Sequence, residues 1–275
     1  MDLTPKAKPA ARSIYDANYG NFQSALYEDV RRDAFGVDIG QNSWLTSDEL
    51  ESFQGWLNLA SGKSLLDVAC GAGGPALHLA EKTGASVTGI DVHTQAIVTA
   101  SAMAAKRGLS RLAEFRCVDA QPPLPFADGS FDAIICIDAI NHLPGREQVI
   151  AEWERLLKLG GRLLFTDPIV VTGPLTNLEV SVRTSAGFYL LVPPGYDEDV
   201  IVRCGMRVVA TENATRNMAE IAERRRAARE RRGEALQSIE GGQNFRSQQE
   251  FLEVTATLAR EGRLSRFLFV AEKLL

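Results

Sequence analysis

The residues that could do chemistry gather around Leu65-Leu66-Asp67-Val68-Ala69-Cys70-Gly71-Ala72-Gly73-Gly74-Pro75-Ala76. An apolar run, then glycines, then a proline is the order of a strand, a tight turn and a helix start. Glycine lets the backbone turn sharply and lets a ligand come close. Proline suits the first helical position, where its missing N–H costs nothing. The free N–H groups beyond it attract the polar part of a ligand. A second apolar run, Gly89-Ile90-Asp91, ends in an acid at about the 20-residue spacing of a ribose-binding carboxylate. Loop and acid together point to an adenosine-type cofactor without choosing it. Gly71-x-Gly73-x-x-Ala76 also satisfies a dinucleotide fingerprint, so NAD stays open at this point.

Three features favour S-adenosylmethionine. Asp67 stands inside the first strand, where it would repel a pyrophosphate and attract the ammonium of a methionine group. Asp119, in Cys117-Val118-Asp119-Ala120, can accept from an adenine amino group, while Ala120 offers a backbone N–H. The order of elements, closing on a strand that ends Ala271-Glu272-Lys273, is the third.

The elements that must position these residues are short apolar runs alternating with helical segments. Strands are expected at 64–69, 86–91, 113–118, 131–137 and 162–167, and helices at 75–83, 94–107 and 146–159, the last stopped by Gly160-Gly161. Such alternation signals an α/β fold: a Rossmann-like, seven-stranded, mostly parallel sheet with helices on both faces. Upstream, 13–35 reads as one or two amphipathic helices and 47–60 as another, while 1–12 reads as loose. Beyond Pro168 the expectations are helices near 175–184 and 196–203, a strand at 207–213, one long charged helix over 216–239, a helix over 247–260 and a final strand at 265–271. The corresponding divisions are an N-terminal helical cap (1–46), a cofactor core (47–168), a substrate lid insertion (169–206) and the rest of the sheet with the inserted charged helix (207–275).

Leu65–Gly73, Gly89-Ile90-Asp91, Val118-Asp119-Ala120, Leu124-Pro125-Phe126, Phe131-Asp132-Ala133-Ile134 and Glu154-Arg155-Leu156-Leu157-Lys158-Leu159-Gly160-Gly161 together resemble the class I S-adenosylmethionine-dependent methyltransferases. Within the class, the chain is similar to the small-molecule N-, O- and C-methyltransferases of the ubiquinone/menaquinone and sarcosine types. It departs from them at Leu159, where proline is usual, and at Gly73-Gly74-Pro75, where many have Gly-x-Gly. The resemblance implies that Asp67 and Gly71 hold the methionine end, that Gly73 lies beside the cofactor backbone, and that Ala69 is a further cofactor-binding residue. Asp91 would take the ribose with Val92 against the adenine, Asp119 and Ala120 the adenine edge, and Ile137 would lie under the sulfonium. The product cofactor would be S-adenosylhomocysteine.

Methyl transfer needs a nucleophile in line with the sulfonium carbon, and a general base only if the acceptor keeps its proton until then. His142, in Ile137-Asp138-Ala139-Ile140-Asn141-His142, is the candidate base or a residue that shapes the site. Asp138 and Asn141 could bind polar groups of the substrate. Asp167 reads as a further crevice acid, and no metal is expected. His78 reads as packing or surface, and His93 as touching the cofactor's outer edge. The resemblance favours Tyr15 and Tyr19 as lid residues over the active site and Ser43-Trp44 as a cofactor-side wall, or these aromatics could simply pack the N-terminal helices on the sheet. The charged helix reads as solvated, with pairs such as Glu220–Arg224 and Arg226–Glu230, or as a lid guiding an anionic acceptor.

Bulk properties fit a globular enzyme: 275 residues, net charge −5, 45% hydrophobic and 24% charged. An acidic chain without a known nucleic-acid module argues against DNA or RNA as a partner. The four cysteines lack metal-ligand spacing and read as small buried apolar residues. The start shows no signal peptide, and no apolar run is long enough for a membrane span. The expected protein is therefore cytoplasmic, a monomer or homodimer, acting on an N, O or C nucleophile of a small-molecule acceptor. A non-catalytic cofactor-binding regulator and a NAD-dependent oxidoreductase are the alternatives. The acceptor has no legible motif in 169–262.

Overall fold

Neighbouring apolar residues in each central strand face opposite ways, as the two-residue period of a strand requires. Leu65, Ile135, Leu164 and Val270 enter one core cluster, and Leu66, Ile134, Leu163 and Phe269 enter a second on the other face. Burial on both faces is why the strands are continuous apolar runs rather than alternating ones. The structure is a computed structural model and describes residues 15, 18–185 and 187–274.

The strands are β1 (Ser64–Val68), β2 (Ser86–Asp91), β3 (Ala113–Cys117), β4 (Phe131–Cys136), β5 (Leu157–Val171), β6 (Met206–Asn213) and β7 (Leu264–Lys273). They form one sheet in the order β3-β2-β1-β4-β5-β7-β6, parallel except where β7 runs antiparallel between β5 and β6. The order reverses at β1, which pairs with β2 on one side and β4 on the other. The carboxyl ends of these strands therefore diverge around a crevice, the usual ligand position in an open parallel sheet.

Helices α2 (Ser47–Leu57), α3 (Gly74–Thr83) and α4 (Thr94–Lys106) cover the first face through Leu50, Phe53, Leu77, Leu79 and Ala104. Thr46 caps α2 by accepting from the Glu49 N–H at 3.2 Å, with Asp48 and Glu49 in its first turn. Helices α5 (Arg146–Leu156) and α7 (Tyr196–Arg203) cover the second face through Val149, Trp153, Val200 and Ile201. Between β5 and α7 lies α6 (Asn177–Arg183), started by a capping box of Thr176 and Glu179. A separate helical layer joins α1 (Ala25–Phe35), α8 (Thr215–Glu230) and α10 (Gly242–Arg260) around Phe35, Trp44, Met218, Ile221 and Leu252, with α9 (Gly233–Glu240) folded against it.

Five sequence expectations are corrected. Helix α5 ends at Leu156, because Leu157 is extended (φ −72°, ψ 140°) and pairs with Phe131. Gly160-Gly161 thus lies within β5 and does not stop the helix. The charged helix is two, α8 and α9, and α10 begins five residues before the expected Ser247. Of its expected pairs, Glu220–Arg224 is present at 3.7 Å, but Arg226 reaches Glu253 and Glu230 accepts from Gln249. Cys70 and Cys136 are buried, whereas Cys117 is exposed and Cys204 half-buried. Residues 1–12 lie outside the described residues. No helix among the described residues is long and apolar enough to cross a membrane.

Candidate active site

The turn after β1 is built to bring backbone and carboxylates together. Ala69 (φ 58°) and Gly71 (φ 54°) both take left-handed conformations. The Cys70 N–H donates to the Ile90 carbonyl at 3.0 Å and the Gly73 N–H to the Cys70 carbonyl at 2.9 Å, which tightens the loop against β2. A Cβ on Gly71 would stand 2.7 Å from the Tyr19 hydroxyl, and one on Gly74 would overlap the Gly40 carbonyl. The second glycine of Gly73-Gly74-Pro75 is thus required by the close approach of the Gly40 backbone.

Asp91 ties this loop to the end of β2. Its two carboxylate oxygens accept from the Gly71 and His93 N–H groups, each at 2.9 Å. Burial raises its carboxyl above the usual range, and those N–H bonds oppose the rise. Asp67 is 3% exposed and makes no hydrogen bond to a described residue; burial first, then the neighbouring Asp91 charge, push its carboxyl well up. A buried carboxylate beside a cavity, with nothing neutralising it, is suited to a cationic ligand group.

The cavity these residues line has a volume of about 360 Å³, within the range of small-molecule sites. Asp67, Ala69, Gly71, Asp91, Val92, Asp119, Ala120 and Ile137 all stand in its wall, with Tyr15, Tyr19 and His93. Asp119 is exposed and accepts from the Gln121 N–H at 3.0 Å. Gly73 is absent from the wall: a Cβ there would meet Phe115 and Ala100. It packs against β3 and α4 instead of lying along the cavity.

A second, smaller cavity of about 120 Å³ adjoins the first. Both walls include Tyr15, Asn42, Ser43, Asp138 and His142. Trp44 and Asn141 line only the second; Trp44 stacks on Phe251 at 6.3 Å, so it does not wall the first cavity. Tyr19 lines only the first. Arg183 from α6 and Arg225 from α8 also enter the second wall, as do Tyr189, Gln248 and Phe251. Sequence reading did not single out Arg183, Tyr189, Gln248 or Phe251, because no motif marks them; Arg225 belongs to the charged helix, read there as solvated or as a lid guiding an anionic acceptor.

His142 sits at the boundary. Its Nδ1 is 3.0 Å from the Phe188 carbonyl, an acceptor, so Nδ1 carries the proton. Nε2 is then free to accept, and the Tyr15 hydroxyl stands 3.2 Å from it. Burial, then the charges of Arg183 and His93, pull the imidazole down to about 4 against the opposing Phe188 bond. It is neutral at pH 7.

Two acids differ from expectation. Asp138 (φ 53°) is fully engaged: Oδ1 accepts from Thr166 at 2.7 Å and Arg266 at 2.6 Å, and Oδ2 from the Trp44 N–H at 2.8 Å. It joins four parts of the chain and offers a substrate little. Asp167 is wholly buried rather than in the crevice, paired with Arg146 at 2.9 Å. No acid or histidine cluster suited to a metal occurs among the described residues. His78 of α3 is largely buried, 3.6 Å from Glu51 of α2.

Residues 66–165 match the family model described as a methyltransferase domain. Methyltransferase GfsG of Streptomyces halstedii is 42% identical over 126 residues, 46% of this chain and 45% of that protein. Sarcosine/dimethylglycine N-methyltransferase of Halorhodospira halochloris is 30% identical over 171 residues, 60% of each. The chain thus spans about half the length of the curated relatives it matches. Among solved structures, the cyclopropane synthase MmaA2 of Mycobacterium tuberculosis shares the fold with a TM-score of 0.79 at 17% identity, covering 99% of this chain and 100% of that one. The segment that matches the methyltransferase domain model, Leu66 to Phe165, is the one that carries the glycine loop, Asp67, Asp91, Asp119 and His142.

Proposed function

We propose that the chain is an S-adenosylmethionine-dependent methyltransferase acting on an N, O or C nucleophile of a small molecule. The observation that carries this reading is Asp67, a buried carboxylate without a hydrogen-bond partner among the described residues, in a cavity wall between the glycine loop and Asp91. Such a carboxylate fits an ammonium and opposes a pyrophosphate. The residues present fit the donor: Asp67 would hold the ammonium, and the remaining lone pairs of Asp91 would accept from ribose hydroxyls. Val92 would lie against the adenine, and Asp119 and Ala120 would meet its edge. S-adenosylmethionine held there would supply an electrophilic sulfonium methyl carbon to an acceptor's lone pair, the C–S electron pair returning to sulfur.

Tyr15 and His142, shared by both walls, stand where donor and acceptor meet. His142 Nε2 orients the Tyr15 hydroxyl or accepts a hydrogen bond from the acceptor. Its depressed basicity confines a general-base role to acceptors that lose their proton readily. Enclosure by Tyr15 and Tyr19 keeps water from the reacting centre.

Calorimetric titration tests the reading. S-adenosylhomocysteine and S-adenosylmethionine should bind and NADH should not. Asp67→Asn should weaken S-adenosylmethionine binding about 10- to 100-fold, the value of one charge-assisted contact. Binding of NADH with no heat from either sulfur compound would remove the proposal.

A further inference from the structure

Four arginines are buried among the described residues, and three are held by carboxylates. Arg146 meets Asp167 and Asp197, Arg229 meets Glu240, and Arg266 meets Asp138 at 2.6 Å and Glu49 at 2.5 Å. Arg183 is the exception. It is 2% exposed, has no carboxylate partner, and its Nε and Nη1 lack any hydrogen bond among the described residues. Its guanidinium lies over the Phe251 ring at 4.5 Å. Such a contact contributes about 0.5–2 kcal/mol, whereas burying an unpaired cation costs several. The aromatic face does not offset the burial.

Arg225 enters the same cavity from α8. Its guanidinium stands 5.5 Å from the Trp44 ring, and its polar contact is Asn42 Oδ1 at 3.4 Å. Burial and the like charges of Arg229 and Arg31 pull it down to about 10. Asn141, in the same wall, is 1% exposed with both Nδ2 and Oδ1 unpartnered among the described residues. The one acid in that wall, Asp138, is already engaged by Arg266, Thr166 and Trp44. Among the described residues this wall brings together two cations without carboxylate partners and one unpaired amide, a lining suited to an anion.

We infer that the second cavity binds an anionic oxygen group, a carboxylate or a phosphate, of the methyl acceptor, with Arg183 and Arg225 as its cationic partners and Asn141 as a neutral donor. The inference rests on the proposed methyl transfer. Guanidinium forks match both groups in shape. An acceptor anchored there directs its other end toward Tyr15 and His142, where the two cavities meet.

The test uses the whole chain saturated with S-adenosylhomocysteine and three probes: benzoate, inorganic phosphate and benzamide. Thermal unfolding and calorimetry are read at constant ionic strength. Benzoate, phosphate or both should bind and raise the melting temperature, while benzamide, the neutral counterpart of benzoate, should not. Arg183→Gln and Arg225→Gln should each weaken the anion about 10-fold or more and leave S-adenosylhomocysteine affinity within twofold. Arg183→Lys should retain part of the response. The more exposed Arg225 supplies the reading if Arg183→Gln does not fold. Response to benzoate alone assigns a carboxylate, and to phosphate alone a phosphorylated acceptor. Equal binding of benzamide, no binding of either anion, or unchanged anion binding in both variants overturns the inference while bound S-adenosylhomocysteine keeps the methyltransferase reading intact. Failure of S-adenosylhomocysteine itself to bind overturns both.

Discussion

At the scale of single residues, burial decides what each candidate can do. His142 shows this through pH. Its folded-state value is pulled down to about 4 from an unfolded value of about 6.5. Between those values the unfolded chain binds a proton that the folded chain does not. The folded protein is therefore most stable above the unfolded value and loses stability as pH falls through the window, by at most about 3 kcal/mol from this group. Urea unfolding at pH 7.5 and pH 4.5 should show the loss, and His142→Gln should show a shallower one. Identical pH profiles for the two proteins would mean that His142 is not held neutral. Position along the chain made Asp67, Asp91 and His142 legible, because strand ends and the loops after them face the crevice whatever the side chains do. The same logic placed Asp138 and Asp167 there, but it carried no information about their partners. Arg266 lies 128 residues from Asp138, and such an ion pair leaves no local pattern.

At the scale of elements, periodicity and apolar runs located the strands well, and charge misplaced one helix. The run from Arg216 onward is strongly helical in composition, and the single glycine at Gly233, just past the break, is its one local mark. A tertiary contact fixes the break. Arg229 and Glu240, 11 residues apart, form a buried ion pair, and the Tyr27 hydroxyl donates to the same carboxylate at 2.7 Å. In a continuous helix those residues would be about 16 Å apart along the axis, out of reach. The chain must turn back at Arg231–Arg232 for α9 to return Glu240 to Arg229. Glu240→Ala would leave Arg229 buried against Phe245 without a carboxylate, so it should destabilise the protein by about 3–5 kcal/mol. Tyr27→Phe, which removes one hydrogen bond, should cost about 1 kcal/mol. Equilibrium denaturation measures both, and a loss below that of Tyr27→Phe would show that the pair does not hold the turn.

At the scale of the molecule, the two cavities draw on different parts of the chain. The first is walled chiefly by the carboxyl ends of β1, β2 and β4 and the segment after β3, all within residues 66–165. That segment carries the motifs, which is why the wall of the first cavity was legible. The second is walled by Trp44, Arg183, Arg225 and Phe251, brought together from separate helices and loops; their contact exists only once the helical layer has assembled. This division predicts separable kinetics. Asp91→Ala should weaken S-adenosylhomocysteine binding severely, because it removes both the proposed ribose partner and the brace on Gly71. Trp44→Ala should leave that affinity within about twofold and raise the acceptor KM, since it lines only the second cavity and binding loss at a ground-state contact appears in KM. Tyr15→Phe should move both quantities, because Tyr15 lies in both walls and its hydroxyl meets His142. Combining Tyr15→Phe with His142→Gln should then cost less than the sum of the two, as expected for partners in one hydrogen bond. Strict additivity in turnover would show that the two act separately, and a Trp44→Ala effect on S-adenosylhomocysteine as large as that of Asp91→Ala would erase the division between the cavities.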